Sequence, residues 1–260
     1  MVVAVLVAAD FGMAAAAEYQ VSKQMRSELN LTSDPSVDIE GFPFITQAIG
    51  GDYRDISVAA SGVAVNNTLR DLEVDADLKN VRISLSNVLS GNFSSLSIDE
   101  VDGQVQIKAS DLGRLLGIPD LTINPESLDF IEGFGVDEKQ QQIQQVTGNT
   151  NSTSAGIGLS GTVDIAGVQT TVSAYGLISL VGSDIVVKPT KLELSNSSIT
   201  GPIPDAIEDP ILGQFTHTFS PNDLPLPFAV TPVGVQVQPG TLIVQGEAHN
   251  VHFSGSTNSQ

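Results

Sequence analysis

Three histidines, His217, His249 and His252, are the side chains best suited by type to proton transfer or metal ligation in this 260-residue chain. Their spacing gives them little to do. His249 and His252 stand three apart in an alternating segment, and on a regular strand such residues face opposite sides and chelate poorly. His217 could join a serine and an aspartate in a hydrolytic triad, but no Gly-x-Ser-x-Gly elbow is present to present the nucleophile. Asp99, Glu100 and Asp102 form an acidic cluster without the alternating ligands and central glycine of a calcium loop. Gly50-Gly51 and Gly156-Ile-Gly158 are not followed by helix-patterned segments, so they read as turns and not as phosphate cradles. The chain has no cysteine, which removes thiol nucleophiles, thiolate metal sites and disulfides. The residues therefore name no catalytic set, no metal site and no cofactor, and the chain reads as a non-enzyme.

The charge balance narrows the partners. Eleven basic residues stand against thirty acidic ones, for a net charge of −19. A nucleic-acid binder or an anionic-surface binder uses clustered Lys and Arg, which this chain lacks. The acidic residues are dispersed and read as a solvated surface. Hydrophobic residues make up 41% and charged residues 16%, enough for a packed core. Aromatic residues are only 5%, so any groove would be lined by aliphatic side chains.

The elements that must position these residues are mostly strands. One helix is expected over residues 8–31, where Ala14, Ala17, Val21, Met25 and Leu29 share a side. Asp34-Pro35 ends it, because the residue before proline avoids the helical region. Then come a strand, the corner Gly41-Phe-Pro-Phe44, a turn at Gly50-Gly51 and a second strand from Ile56. Period-two alternation continues through 72–85, 101–109, 157–165, 168–178, 185–194, 233–237 and 242–253, with Gly167 turning one hairpin. Further strands are expected near 127–136 and 141–146, and an exposed polar turn over 147–154. Ser110 to Leu116 reads as a short helix capped by Ser110 or Asp111 and stopped by Gly117, and another begins at Pro204. One long amphipathic helix lying on a large sheet would cover a groove.

Residues 1–13 form an apolar run interrupted by Asp10, with no basic region before it. Two readings stand: a truncated signal or anchor segment, which is preferred, or the buried first turns of the helix. The run is shorter than the roughly 20 residues that span a bilayer. The expected organisation is a signal or anchor remnant over 1–13, one domain over 14–253 and a flexible tail over 254–260.

The block Asp38-Ile-Glu-Gly-Phe-Pro-Phe-Ile45, then Gln47, Gly50-Gly51-Asp-Tyr53 and Ile56, resembles the start of the LmeA-like family of actinobacterial envelope proteins. Leu224-Pro-Leu-Pro-Phe228, Val233 to Val237, Gly240-Thr-Leu-Ile-Val244 and Gly246 resemble that family's ending. The resemblance implies an α+β, β-rich fold like the tubular lipid-binding proteins, with a long N-terminal amphipathic helix packed in a rolled, highly curved antiparallel sheet. It implies a phospholipid-binding protein on the periplasmic side of the plasma membrane that supports envelope lipid or lipoglycan (mannan) maintenance. The partners it implies are a phospholipid or other acyl lipid, a membrane surface met transiently or through an N-terminal anchor, and an envelope glycosyltransferase.

On that footing acyl chains would lie between helix and sheet. The expected wall residues are Val21, Met25 and Leu29 on the helix and Ile56 and Val58 on the strand. Phe42, Phe44, Ile45, Leu226 and Phe228 are expected at the groove mouth. Arg54 or Arg70 could meet a phosphate. For each apolar residue, ordinary core packing is the competing reading. A structural or adhesive surface module with a fully packed core is the alternative function, and a hydrolase using His217 stands behind it.

Overall fold

One long helix precedes a chain of strands and short helices in the computed structural model, which describes residues 2–28, 31–65, 69–90, 92–127, 131, 152–165, 167–195, 203–220 and 228–252. The order is α1 (Val2–Glu28), β1 (Ser36–Glu40), α2 (Phe44–Gly50), β2 (Asp52–Val65), β3 (Leu69–Arg82), α3 (Leu85–Ser90), β4 (Ser97–Lys108) and α4 (Ala109–Leu116). It continues with β5 (Thr122–Glu126), β6 (Ser154–Ile165), β7 (Val168–Val181), β8 (Asp184–Ser195), α5 (Asp205–Phe215), β9 (His217–Phe219), β10 (Thr231–Gln238) and β11 (Thr241–His252). The strands expected over 127–136 and 141–146, most of the 147–154 turn and the 254–260 tail lie outside the described residues.

Among the described residues the strands form two antiparallel sheets, ordered β1-β2-β3-β4-β11-β10 and β5-β6-β7-β8-β9, and neither closes into a barrel there. The α+β class with an N-terminal helix is as expected, although the strands are shared between two sheets and not rolled into one. Each sheet has its own core. Ile157, Leu159, Val172, Ile178 and Phe215 centre the core of the second sheet, which also takes Val235 and Leu242 from the first. Ala17, Phe44, Tyr53, Val81, Ile98 and Val251 centre the other, where α1, α2 and α3 cover one end of the first sheet.

Helix α1 starts earlier than its periodicity predicts, at Val2. It runs antiparallel to β1, and three of its polar side chains tie it to the segment from Pro35 to Ile45. Asp10 accepts the backbone N–H groups of Phe44 and Ile45, both at 2.8 Å. Glu18 accepts the N–H of Ile39 at 3.0 Å, and Ser22 donates to the carbonyl of Pro35 at 2.6 Å. Its outward side is polar only in the second half; from Ala4 to Ala16 every exposed residue is apolar or glycine.

Two short helices, α2 and α3, stand where sequence periodicity predicts only a corner and a loop. Seven and six residues are too few to show a helical period. Helix α2 is set by its ends: Pro43 precedes it, Asp10 caps its first N–H groups, and Gly51 closes it in the left-handed region at φ 71°. Helix α4 ends at Gly117 as predicted, but its N-cap is Lys108 and not Ser110 or Asp111. Asp111 lies in the first turn, fully buried, where it accepts the N–H groups of Arg70 and Asp71 and contacts Arg114. Its carboxylate joins α4 to β3, and so is not available to cap its own helix.

The first sheet bends along one line. Asn80 on β3 and Asn250 on β11 both take φ 52°, a left-handed conformation that Asn tolerates better than most residues. Alternation reverses there. Core-facing residues are separated by three positions instead of two at Tyr53/Ile56, Leu78/Val81, Ile98/Val101 and Ala248/Val251, which pair in register across four strands. The reversal also puts His249 and His252 on the same exposed side, against the expectation from a regular strand.

Candidate functional site

Strand register sets the apolar face of the first sheet in rows. Ile39, Ile56, Leu78, Val101 and Ala248 form one row across five strands. The next is Val37, Val58, Ala76, Gly103 and Gly246, and the third is Ala60, Val74, Val105, Val244 and Val235. Ile107, Leu242 and Val237 begin a fourth. Six residues separate the first row from the fourth, which is roughly 20 Å of strand.

The two cores take the ends of this face and leave its middle. The first row belongs to the core under α1, α2 and α3. Val235, Val237 and Leu242 belong to the other, with Ile107 and Val244 packed against it. Among the described residues, Val58, Val74 and Val105 belong to neither and remain half-buried, with Gly103 beside them. A Cβ placed on Gly103 would find as its three nearest atoms only the neighbouring strand, Asp75 O at 3.2 Å and Ala76 Cβ and Cα beyond. One on Gly246 would meet Val230 Cγ1 at 2.6 Å. Val230 thus covers this row on the β11 side, Ala76 packs against the first core on β3, and Val58, Val74 and Val105 are the half-buried residues left between the two cores.

The opposite face is acidic and self-paired. Lys79 holds Glu100 at 2.7 Å and Asp102 at 2.5 Å, Lys108 holds Asp71 at 2.8 Å and Glu73 at 2.9 Å, and Arg82 holds Asp99 at 2.8 Å. Hydrogen bonds to Asp102 and then Glu100 raise the Lys79 ammonium above its ordinary value, and those to Asp71 and Glu73 do the same for Lys108. One sheet therefore has a dry face and a charged one.

The sequence-predicted residues divide between core, floor and surface. Phe44 is 2% exposed within the core, and Val21, Ile56 and Phe228 pack against the same cluster. Met25, Ile45 and Val58 are half-buried, and Ile45 contributes its N–H to Asp10. Phe42 is 59% exposed and stacks on Phe11 with ring centroids 6.1 Å apart. Leu29 and Leu226 lie outside the described residues. Arg54 lines a cavity of about 530 Å³ with Thr46, Asn80 and Asp99, whereas Arg70 lies at the other end of the sheet near Asp111. His217 is half-buried against Phe219, with ring centroids 4.6 Å apart. No group of three or more metal-ligating side chains occurs among the described residues, and no helix there is long and apolar enough to cross a membrane.

Val74, Gly103 and Val105, the centre of the floor, are not among the wall residues that the sequence predicts. Their alternation is plain in the sequence, but which alternating strands lie under a core and which lie bare depends on register. Asp10 reads in the sequence only as an interruption of an apolar run; its role as the cap of α2, more than thirty residues away, has no local signal.

Comparison with known proteins gives one match. A family model described as LmeA-like phospholipid-binding matches residues 8–247. No curated protein and no solved structure matches the chain.

Proposed function

This chain belongs to the LmeA-like phospholipid-binding family, and from that premise we propose that it carries a phospholipid with an acyl chain laid along the bare floor of the first sheet. The observation that carries the reading is the half-buried strip Val58, Val74, Gly103 and Val105, which belongs to neither of the two packed cores. The acyl chains of one leaflet fill about half of a hydrocarbon core roughly 30 Å thick. A floor roughly 20 Å long therefore accommodates one such chain. About ten fully buried methylenes contribute on the order of 8 kcal/mol, which offsets the costs of association. The wall on the β1 side is the second half of α1, with Val21 and Met25, and the opposite wall is Phe228 and Val230. The chemistry is binding without bond breaking.

On the same reading the protein works outside the plasma membrane, in envelope lipid or lipoglycan maintenance, meeting the membrane surface and a glycosyltransferase that uses the lipid. Native mass spectrometry of the purified chain, with solvent extraction of what it holds, tests the central part. A co-purifying phospholipid is the expected result. An empty protein that takes up nothing from added liposomes would favour a packed structural module.

A further inference from the structure

The end of the molecule formed by α1, α2 and α3 presents large apolar side chains to solvent. Val5, Leu6 and Phe11 of α1 are 66%, 60% and 63% exposed, Ile49 of α2 is 83% exposed and Leu89 of α3 is 53% exposed. Helix α1 contacts both α2 and α3, and Phe11 stacks on Phe42 just ahead of α2, so these residues share one end of the fold. Scattered exposed apolar residues need no explanation, but a group of them on three touching helices marks a contact surface.

The charge distribution says what the surface contacts. The chain carries −19, yet residues 41–51 and 83–98 contain no Asp, Glu, Lys or Arg. Residues 2–17 contain one, Asp10, which is 4% exposed and engaged with the N–H groups of Phe44 and Ile45. Asp52 and Arg82, one of each sign, stand at its margin beside Ile49 and Leu85. An apolar surface whose own helical segments expose no charge suits the apolar boundary of a bilayer, where insertion follows buried apolar area. The same helices cover the core from which the bare floor runs.

We propose that the α1–α2–α3 end docks on the surface of a lipid bilayer through apolar insertion, with Phe42, Ile49 and Leu89 entering alongside the first half of α1. This rests on the reading of the protein as a phospholipid carrier, because it places the lipid source beside the floor. Docking is neutral in character: it does not need anionic lipid and persists at high salt.

The test is flotation of the full chain with phosphatidylcholine vesicles, comparing wild type with the double variant Ile49→Asp, Leu89→Asp, in which α1 is unchanged. Both sites are exposed, and circular dichroism checks the fold. Wild type should float, equally at low and high salt, and the double variant should partition at least tenfold less. A double variant that floats like wild type, or flotation that appears only with anionic vesicles, would overturn the docking face. Uptake of monomeric short-chain phosphatidylcholine is measured in parallel. Uptake without flotation overturns the docking and leaves the carrier reading standing; flotation lost in the double variant while wild type takes up no monomer supports the docking and removes the floor.

Discussion

Gly103 on β4 and Gly246 on β11 stand opposite one another in register, yet a Cβ on the first would meet its neighbouring strand, nearest at Asp75 O 3.2 Å away, and one on the second would meet Val230 at 2.6 Å. The contrast locates the boundary of the floor to within one strand. It also separates two substitutions that look alike in the sequence. Gly103→Leu should extend a side chain over the strip where the acyl chain lies, displacing lipid at a stability cost near 1 kcal/mol, since only Asp75 O must give slightly. Gly246→Leu must push Val230 aside and should cost about 1–3 kcal/mol. Lipid retention and chemical denaturation of the two variants check both halves: retention should fall at Gly103 without unfolding, and stability should fall more at Gly246.

Met25 lies half-buried on the side of α1 that carries Ala17 and Val21. A carboxylate there would stand on the wall proposed for the acyl chain and disfavour burial against it. Met25→Glu should abolish lipid retention in a protein that still folds. Retention equal to wild type in the folded variant would remove α1 from the wall of the site.

Asp10 holds α1 against α2 through two hydrogen bonds to a charged acceptor. Its replacement by Ala leaves the N–H groups of Phe44 and Ile45 without their acceptor and should lower stability by about 1–2 kcal/mol. Asp10→Asn keeps one acceptor oxygen and should lose less. Urea unfolding of the pair measures the difference.

The strand reversal at Asn80 makes a backbone prediction. A β-branched residue is disfavoured at φ 52°, so Asn80→Val should destabilise by roughly 1–3 kcal/mol, while Asn80→Gly should change little. A valine variant as stable as wild type would mean that the bend does not need the left-handed residue.

Asp120 gives the pH dependence. The Thr162 hydroxyl at 2.6 Å and the Thr162 N–H at 2.9 Å hold its carboxyl below the ordinary 3.8. A depressed carboxyl pKa contributes stability that is present above the unfolded value and is lost as pH falls through the folded one. Thr162→Val removes the larger of these effects, the hydroxyl bond, and should bring the Asp120 titration back toward 3.8, read by carboxyl NMR. An unmoved titration would separate the depression from that hydroxyl.

Much of the architecture is legible in the sequence because it is periodic. The four-residue spacing from Ala17 to Met25 marks α1, alternation marks β6 through β8, and Gly167 and Gly117 mark a turn and a helix end. The hidden part is non-local. Helices α2 and α3 are too short to show a period, and Asp111, within the first turn of α4, is engaged with β3 and does not cap its own helix. The reversal at Asn250 cannot be seen in residue types, so pattern alone assigns the two C-terminal histidines to opposite faces. For the same reason Val21 and Ile56, expected on the wall, pack against the first core, whereas the half-buried state of Val58, Val74 and Val105 depends on where two cores stop.

The central claim is that an acyl chain lies on the first sheet between those cores. A phospholipid with a photoactivatable group in its acyl chain, loaded onto the wild-type protein and cross-linked, tests it most directly. Labelled peptides should cover Val74–Ala76 on β3 and Gly103–Val105 on β4, and the label should leave them in Gly103→Leu. Labelling confined to the second sheet, or unchanged in the folded Gly103→Leu variant, would contradict the account.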